Sequence, residues 1–352
     1  MRIAIDAMGG DIGPSVTVDG ALVAARHLQV ALLFVGDAAA IEVELARHPV
    51  ASLFRRLDVQ IVDAPERIEM SESAAHALRR KPRASIRVAA EAVRDGRADA
   101  LFSAGHTGAS VMAAHAAFGL LPGVDRPALA TIIPTRRSPA VLLDAGATVG
   151  CRPPHLVQFA VMGSAYARVA LGLASPRVGL LSVGEEETKG NELTREAHRL
   201  LKDAPINFIG NVEGRDVYGG EADVIVCDGF TGNVTLKVSE GLVETIEALL
   251  HDELAATFGG RVGYVLSRQA FRRFRRRVDY SEYGGAPLVG LNGLCIVGHG
   301  RSSSKAVANA VTMAVRAVRE DLLGRLSRDL RRIVTLPATS PNLQSPTSNL
   351  HP

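Results

Sequence analysis

RIAIDAMGGDIGP, residues 2–14, sets a short apolar run against a glycine loop and closes it with a proline. Ile3, Ala4 and Ile5 read as a buried strand. Pro14 suits the first turn of a helix starting near Ser15, where its missing N–H costs nothing. The same order of strand, glycine loop and helix returns along the chain. ALF (100–102) leads into SAGHTGAS, AVLLD (140–144) into AGATVGCRPP, and RVGLLSV (177–183) into GEEETKGNE. DVIVCD (223–228) leads into GFTGN and GLCIV (293–297) into GHGRSSS. Such alternation predicts parallel strands joined by crossover helices. In open parallel sheets, ligands bind beyond the carboxyl ends of the strands, where these glycine loops lie. The helix N-termini there offer free amides and a positive dipole end, a setting suited to phosphate.

The chain has 352 residues, 47% hydrophobic and 22% charged, which describes an ordinary globular protein rather than a disordered, fibrous or membrane-spanning one. At this size roughly 75% of the unfolded chain's surface is buried on folding, so no disulfide or structural metal is needed. Thirty-five Arg and 5 Lys face 37 acidic residues, a net charge of +3 that argues against a dedicated nucleic-acid binder. Cys151, Cys227 and Cys295 show no C-x-x-C spacing, so neither a zinc site nor a disulfide framework is expected, and a reducing cytoplasm fits. The N-terminus lacks the pattern of a signal peptide, and no apolar run reaches the roughly 18 to 20 residues of a membrane span. Two regions break the rhythm. Residues 251–280 are helical in character and strongly basic, with FRRFRRRV at 271–278, and the Pro-, Ser- and Asn-rich end at 337–352 predicts a disordered tail. One catalytic α/β domain over 1–336, with a basic helical excursion at 251–280, is the expected organisation.

Nucleotide signatures are missing. GGDIG at 9–13 lacks the first glycine of G-x-G-x-x-G, and neither a P-loop nor a G-x-S-x-G elbow occurs. The loops carry glycines, small hydroxyl residues and isolated charges instead. Lys189, Lys237 and Lys305, three of the 5 lysines, lie in or just after strand-end loops, where a compact ammonium can meet a phosphate or a developing oxyanion. The alternative is that they are solvated. Asn233 either donates to a carbonyl or phosphate oxygen or caps the following helix. Asp6 and Asp11 flank the first loop, as donor-orienting groups or as caps. His106 and His299 stand beside glycines at strand ends, either as proton-handling or phosphate-donating groups or as ordinary loop residues. Cys227 and Cys295 read as buried inert thiols.

Taken together, DAMGGD (6–11), SAGxTGA (103–109), DRPALA (125–130), LLDxGA (142–147), HLVQFAxMG (155–163), KGNEL (189–193), INFIGNVEGRD (206–216), DGFTGNVTLK (228–237) and YGGAPLxGL (283–291) resemble the bacterial phosphate acyltransferase family known as PlsX. The likeness runs in order over about residues 1–320. It implies a Rossmann-like three-layer α/β/α sandwich with a mostly parallel sheet, similar to phosphotransacetylases and isocitrate-type dehydrogenases, with protruding basic amphipathic helices. It further implies reversible transfer of a long-chain acyl group from acyl carrier protein to inorganic phosphate. The acyl-phosphate would serve phospholipid synthesis, through a downstream membrane glycerol-3-phosphate acyltransferase. A homodimer associated peripherally with the inner membrane is implied too, with no cofactor, no metal and no nucleic acid.

In that chemistry phosphate is itself the nucleophile, so the protein must orient the dianion and stabilise the oxyanion. Lys189 and Asn233 match family positions thought to line the active site and are the candidates for polarising the carbonyl. Asp6, Gly9, Gly10, Asp11, Ser103, Gly105, Thr107, Gly108, Asp144, Gly232 and His299 are the candidates for binding phosphate or substrate. Three loop positions depart from the family pattern: His106 replaces Asn, Ile12 replaces His and Thr148 replaces Asn. His106 is accordingly a candidate donor to phosphate or oxyanion.

On the basic stretch, Leu266, Ala270, Phe271, Phe274 and Val278 recur at helical spacing. Arg268, Arg272, Arg273, Arg275, Arg276 and Arg277 fill much of the rest, making an amphipathic basic helix. Three readings stand for it: an anionic membrane surface, the acidic carrier protein, or a dimer interface. The rival activities are a phosphotransacetylase-like acyl-CoA enzyme and a non-catalytic membrane scaffold.

Overall fold

The stretch at residues 2–14 folds as read: β1 (Arg2–Asp6) ends in the glycine loop, and α1 (Pro14–Leu28) starts on the proline. The structure, a computed structural model, describes residues 1–48, 57–278 and 284–334. The expected tail at 337–352, Tyr283 of the YGGAPL motif and the side chains of Arg275, Arg276 and Val278 lie outside the described residues.

After α1 come β2 (Ala31–Gly36), α2 (Ala38–Arg47), β3 (Val59–Asp63), α3 (Ala74–Arg80), α4 (Ser85–Arg94), β4 (Ala100–Ser103) and α5 (Thr107–Phe118). Three short strands follow, β5 (Ala128–Leu129), β6 (Thr131–Ile133) and β7 (Ala140–Leu143), then α6 (Pro153–Leu171), β8 (Arg177–Leu181), α7 (Glu192–Leu201), β9 (Asn207–Val212) and β10 (Val224–Val226). The chain continues through α8 (Gly229–Ala256), α9 (Phe258–Val278), β11 (Ala286–Val289), β12 (Leu294–Val297), α10 (Ser304–Arg319) and α11 (Leu322–Val334).

The strands form two sheets. One runs β3-β2-β1-β4-β12-β11-β5 and the other β6-β7-β10-β8-β9. Pairing is parallel except where β11 meets β12 and β5, and where β6 meets β7. Fully buried β4, β7, β10 and β12 are the near-continuous apolar runs of a sheet covered on both faces, whereas β3 and β9 at the edges alternate toward solvent. Only Ala130 separates β5 in the first sheet from β6 in the second. One apolar core crosses between the sheets, joining Ile3, Phe34 and Phe102 to Leu143, Phe159, Tyr166 and Val311.

Neighbouring strands β1, β4 and β12 bring the loops after Asp6, Ser103 and Val297 to one edge. In the second sheet β7, β10 and β8 do the same for the loops after Leu143, Val226 and Leu181. Helices α1 and α10, which leave two of these loops, lie in close contact. A Cβ on Gly20 of α1 would fall 2.3 Å from the Ser304 carbonyl oxygen.

The basic excursion departs from its expected start at residue 251. The helix leaving β10 does not stop after a crossover length but runs for 28 residues, and α9 doubles back along it for 21.

Candidate active site

At the end of β1 the Asp6 side chain is buried and points back into the fold. Its Oδ1 accepts the Ser85 hydroxyl at 2.6 Å and its Oδ2 the Ser103 hydroxyl at 2.6 Å. Burial pushes the Asp6 carboxyl up from its ordinary range, against the opposing pull of the two serines. Ser103 in turn accepts the Gly105 amide at 3.1 Å. Directly above, Gly9 lies so close to the β4–α5 loop that a Cβ there would sit 2.8 Å from the Gly105 nitrogen. Gly10, at φ +91°, turns its carbonyl to the Arg67 guanidinium, which donates at 3.0 Å. The Asp11 amide donates to the Gly300 carbonyl at 2.8 Å, tying the first loop to the one after β12.

His106 is the N-cap of α5. Its Nδ1 accepts the Ala109 amide at 3.3 Å, so the neutral ring carries its proton on Nε2. The Thr107 and Gly108 amides that follow occupy the first helical positions, which have no intrahelical partner. With Asp6 and the serines beneath, this is an amide-lined cradle at a positive helix end.

On the second sheet, Asp144 holds a loop together. Oδ1 accepts amides from Leu129 (2.8 Å), Gly146 (3.0 Å) and Ala147 (2.9 Å), and Oδ2 the Thr148 amide at 2.6 Å. Burial raises the Asp144 carboxyl's pKa, with these amides opposing it. Gly232, in the first turn of α8, packs on that loop: a Cβ would fall 1.9 Å from the Asp144 carbonyl oxygen. Asp228 caps α8 by accepting the Phe230 and Thr231 amides, each at 3.0 Å. That settles the choice left open for Asn233. It is not the cap but an exposed residue one turn in, beside Gly146, and its amide makes no hydrogen bond among the described residues.

The two groups of loops meet at His299 and Lys237. The His299 Nδ1 accepts the Arg301 amide at 3.1 Å, and its Nε2 lies 3.4 Å from the Lys237 ammonium, which also pairs with Glu240 at 2.8 Å. Burial, and then the Lys237 charge, lower the His299 pKa, so at neutral pH the ring is uncharged. Lys189 stands apart on the loop after β8. Its stem lies against Gly184, and its exposed ammonium makes no ion pair among the described residues.

Sequence reading thus collects its candidates in two clusters, with three corrections. The Asp6 and Asp144 carboxylates face serines and backbone amides rather than a ligand, because a buried charge must be met by donors. Neither Asp6 nor Asp11 caps α1, whose N-cap is Gly13 without a side-chain cap. Arg277, though exposed, is not free on the basic surface but tethered to the body of the fold, donating to the carbonyls of Thr135 at 3.1 Å and Arg136 at 2.7 Å. Arg67, Ser85, Asp228 and the buried Ser182 hydroxyl, which has no hydrogen-bond partner among the described residues, were not singled out from sequence. Asp228 alone carried a signal, an Asp followed three residues later by Thr at a strand-to-helix junction.

A family model described as fatty acid synthesis protein matches residues 1–325. Phosphate acyltransferase of Geobacter sulfurreducens is 48% identical over 330 residues, covering 94% of each chain. That of Nitratidesulfovibrio vulgaris is 53% identical over 317 residues, 90% of this chain and 91% of the relative. The chain belongs to the phosphate acyltransferase family. Phosphate acyltransferases are acyl-transferring enzymes, and the fold is shared more widely. A phosphotransacetylase from Streptococcus pyogenes superposes at a TM-score of 0.61 with 16% identity, covering 91% of this chain and 94% of that one. A branched-chain phosphotransacylase from Enterococcus faecalis superposes at 0.53 with 14% identity, covering 90% and 99%.

The chain carries its arginine-rich helix on the α8–α9 hairpin. Arg268, Arg272 and Arg273 are exposed, Phe271 packs against Tyr264 with ring centroids 5.1 Å apart, and Phe274 is partly exposed. Along α8 a second apolar stripe that sequence reading missed, Val238, Leu242, Ile246 and Leu249, faces outward. Among the described residues no helix is long and apolar enough to cross a membrane. No group of three or more His, Cys, Asp or Glu side chains is arranged to hold a metal ion among them.

Proposed function

We propose that this chain transfers a long-chain acyl group from the thioester of acyl carrier protein to inorganic phosphate, releasing acyl-phosphate and the carrier thiol. The observation that carries this reading is the contact of Gly9 with Gly105 beneath the α5 N-terminus. Next to that contact stand the Thr107 and Gly108 amides and the Nε2–H of His106, three donors that would serve a phosphate dianion. Asn233, beside Gly146, and Lys189, on the loop after β8, carry donors that no described residue uses. Polarising the acyl carbonyl is their role.

A phosphate oxygen attacks the thioester carbon, the carbonyl oxygen becomes an oxyanion under the Asn233 amide and the Lys189 ammonium, and the C–S bond breaks. The sulfur leaves as a thiolate and is protonated, and the new C–O–P linkage is the product. Positioning and charge stabilisation supply the catalysis. The run of one core between both sheets supports a single catalytic unit.

The exposed stripe on α8 and the arginines of α9 support reversible attachment to an anionic membrane surface on the cytoplasmic side, each arginine contributing about 1 kcal/mol near such a surface. Acyl-phosphate is both reactive and lipophilic, and that position suits handing it to a membrane glycerol-3-phosphate acyltransferase. A homodimer is the assembly that accompanies this reading. The test is acyl-phosphate formation from palmitoyl-carrier protein and phosphate, trapped with hydroxylamine. Turnover with palmitoyl-CoA alone would overturn the donor assignment, and no product from either donor would leave a scaffold role.

A further inference from the structure

One cleft among the described residues lies far from the strand-end loops. It measures about 380 Å³ and opens between α6 and α11. Arg168, which lines it, is 15 residues beyond Pro153, so it sits roughly 22 Å down a helix that starts at the Asp144 loop. Ala174, three residues before β8, and Ile206, directly before β9, are also in the lining. The cleft therefore opens at the amino ends of the strands, the end opposite the acyl-transfer site.

Its chemistry is cationic. On α11, Leu322, Leu326 and Leu330 are buried at a spacing of four, while Arg325, Arg328, Asp329 and Arg332 share the face turned to the cleft. Arg168 comes from α6, fixed there by a 3.0 Å hydrogen bond to Ser164 and by its ion pair with Asp329. Arg325 pairs with Glu320 at 3.2 Å and Arg328 with Asp321 at 3.3 Å, and Arg332 lies 3.8 Å from Asp329. The first two pairs are between well-exposed side chains, and such pairs contribute little. Guanidinium groups converging on one cleft match phosphate oxygens bidentately. The reaction at the opposite end has no use for them.

We propose that the cleft between α6 and α11 is a binding site for a small polyanion, a ligand bearing two or more phosphate groups. Bound there, it bridges α11 to α6 and so stabilises the contact between them. The chemistry fits a free solute and a phosphate-rich lipid headgroup equally, and experiment separates the two.

Inorganic pyrophosphate is the probe, titrated calorimetrically and by thermal shift into the full-length protein, its Lys189→Ala variant and the triple variant Arg325→Gln/Arg328→Gln/Arg332→Gln. The expected result is saturable binding and a raised Tm in the wild type and in Lys189→Ala. In the triple variant affinity falls at least tenfold, with acyl transfer intact. The charge-conserving Arg325→Lys/Arg328→Lys/Arg332→Lys variant recovers part of the binding, and circular dichroism of each variant establishes that it folds. Equal pyrophosphate affinity in wild type and the Gln triple variant would overturn the proposal. Sedimentation with phosphatidylcholine vesicles containing phosphatidic acid assigns the source. With Arg268, Arg272 and Arg273 changed to Glu throughout, so that the hairpin adds no anionic preference, a phosphatidic-acid preference that is lost in the Gln triple variant identifies a headgroup, and no such preference beside intact pyrophosphate binding identifies a solute.

Discussion

Asp6 and Ser103 share a 2.6 Å hydrogen bond in the fully buried floor of the cleft, formed between the last residue of β1 and the last residue of β4. Through it the two loops that build the cradle are held at a fixed spacing. Ser85 at the start of α4 makes the matching bond on the other carboxylate oxygen, so three elements converge on one side chain.

Ser103→Ala removes a donor from a buried carboxylate and also the acceptor of the Gly105 amide. A loss of about 1 to 3 kcal/mol follows. A double-mutant cycle with Asp6→Asn separates the pair from its surroundings, and a coupling energy indistinguishable from zero would contradict the arrangement.

The raised pKa of Asp6 gives stability a pH signature. A group that holds its proton more tightly in the native than in the unfolded state favours folding below its unfolded pKa, about 3.9. That contribution is lost as pH rises through the higher native value. Asp6→Asn cannot titrate, so its Tm relative to wild type should climb with pH across this window and then level off. A difference that stays constant from pH 4 to 8 would refute it.

Two glycines of α8 should respond in opposite senses. At Gly232 a Cβ would strike the Asp144 carbonyl, and Gly232→Ala is expected to cost at least 1 to 3 kcal/mol, as about the usual range for overpacking. Gly241 has nothing within 4 Å of its Cβ position, and Gly241→Ala should stabilise by about 0.5 to 1 kcal/mol through helix propensity. Chemical denaturation of both variants measures the contrast.

The repeated strand, glycine loop and helix were legible because each is written in a contiguous stretch, and the start of α1, expected near Ser15, falls one residue earlier on Pro14. The division into two sheets was not. ALATII at 128–133 is a single apolar run, and only tertiary pairing sends Leu129 to β11 and Thr131 to β7. The same holds within the site. Gly9, Gly10 and Gly105 announce themselves as loop residues, but that Asp144 is consumed by four amides, or that Ser85 reaches Asp6 across 79 positions, depends on packing that no local pattern records. Asn233 was readable as a donor, yet its freedom follows only from seeing Asp228 take the cap.

Lys189 and Asn233 are exposed and have no side-chain partner among the described residues, so removing them should leave the fold untouched. Lys189→Ala and Asn233→Ala are expected to keep the wild-type Tm and lower kcat about 10² to 10³-fold, the usual effect of losing one oxyanion donor. A fall confined to KM would instead assign them to ground-state binding. A drop in Tm would show that they hold the loops.

Under the proposed attachment to an anionic membrane, the hairpin offers two separable contributions. Leu242 and Ile246 are 58% and 47% exposed on α8, a cost in water that burial in the acyl boundary of a bilayer would reverse. Arg268, Arg272 and Arg273 on α9 add attraction only where the surface is anionic. Leu242→Gln/Ile246→Gln should therefore weaken sedimentation with both neutral and anionic vesicles. Arg268→Glu/Arg272→Glu/Arg273→Glu should abolish only the anionic preference and its sensitivity to salt. None of these side chains lies at the strand-end loops, so acyl-phosphate formation in detergent-free solution should persist in both variants. Vesicle binding that survives both sets of changes would move the attachment surface elsewhere on the molecule.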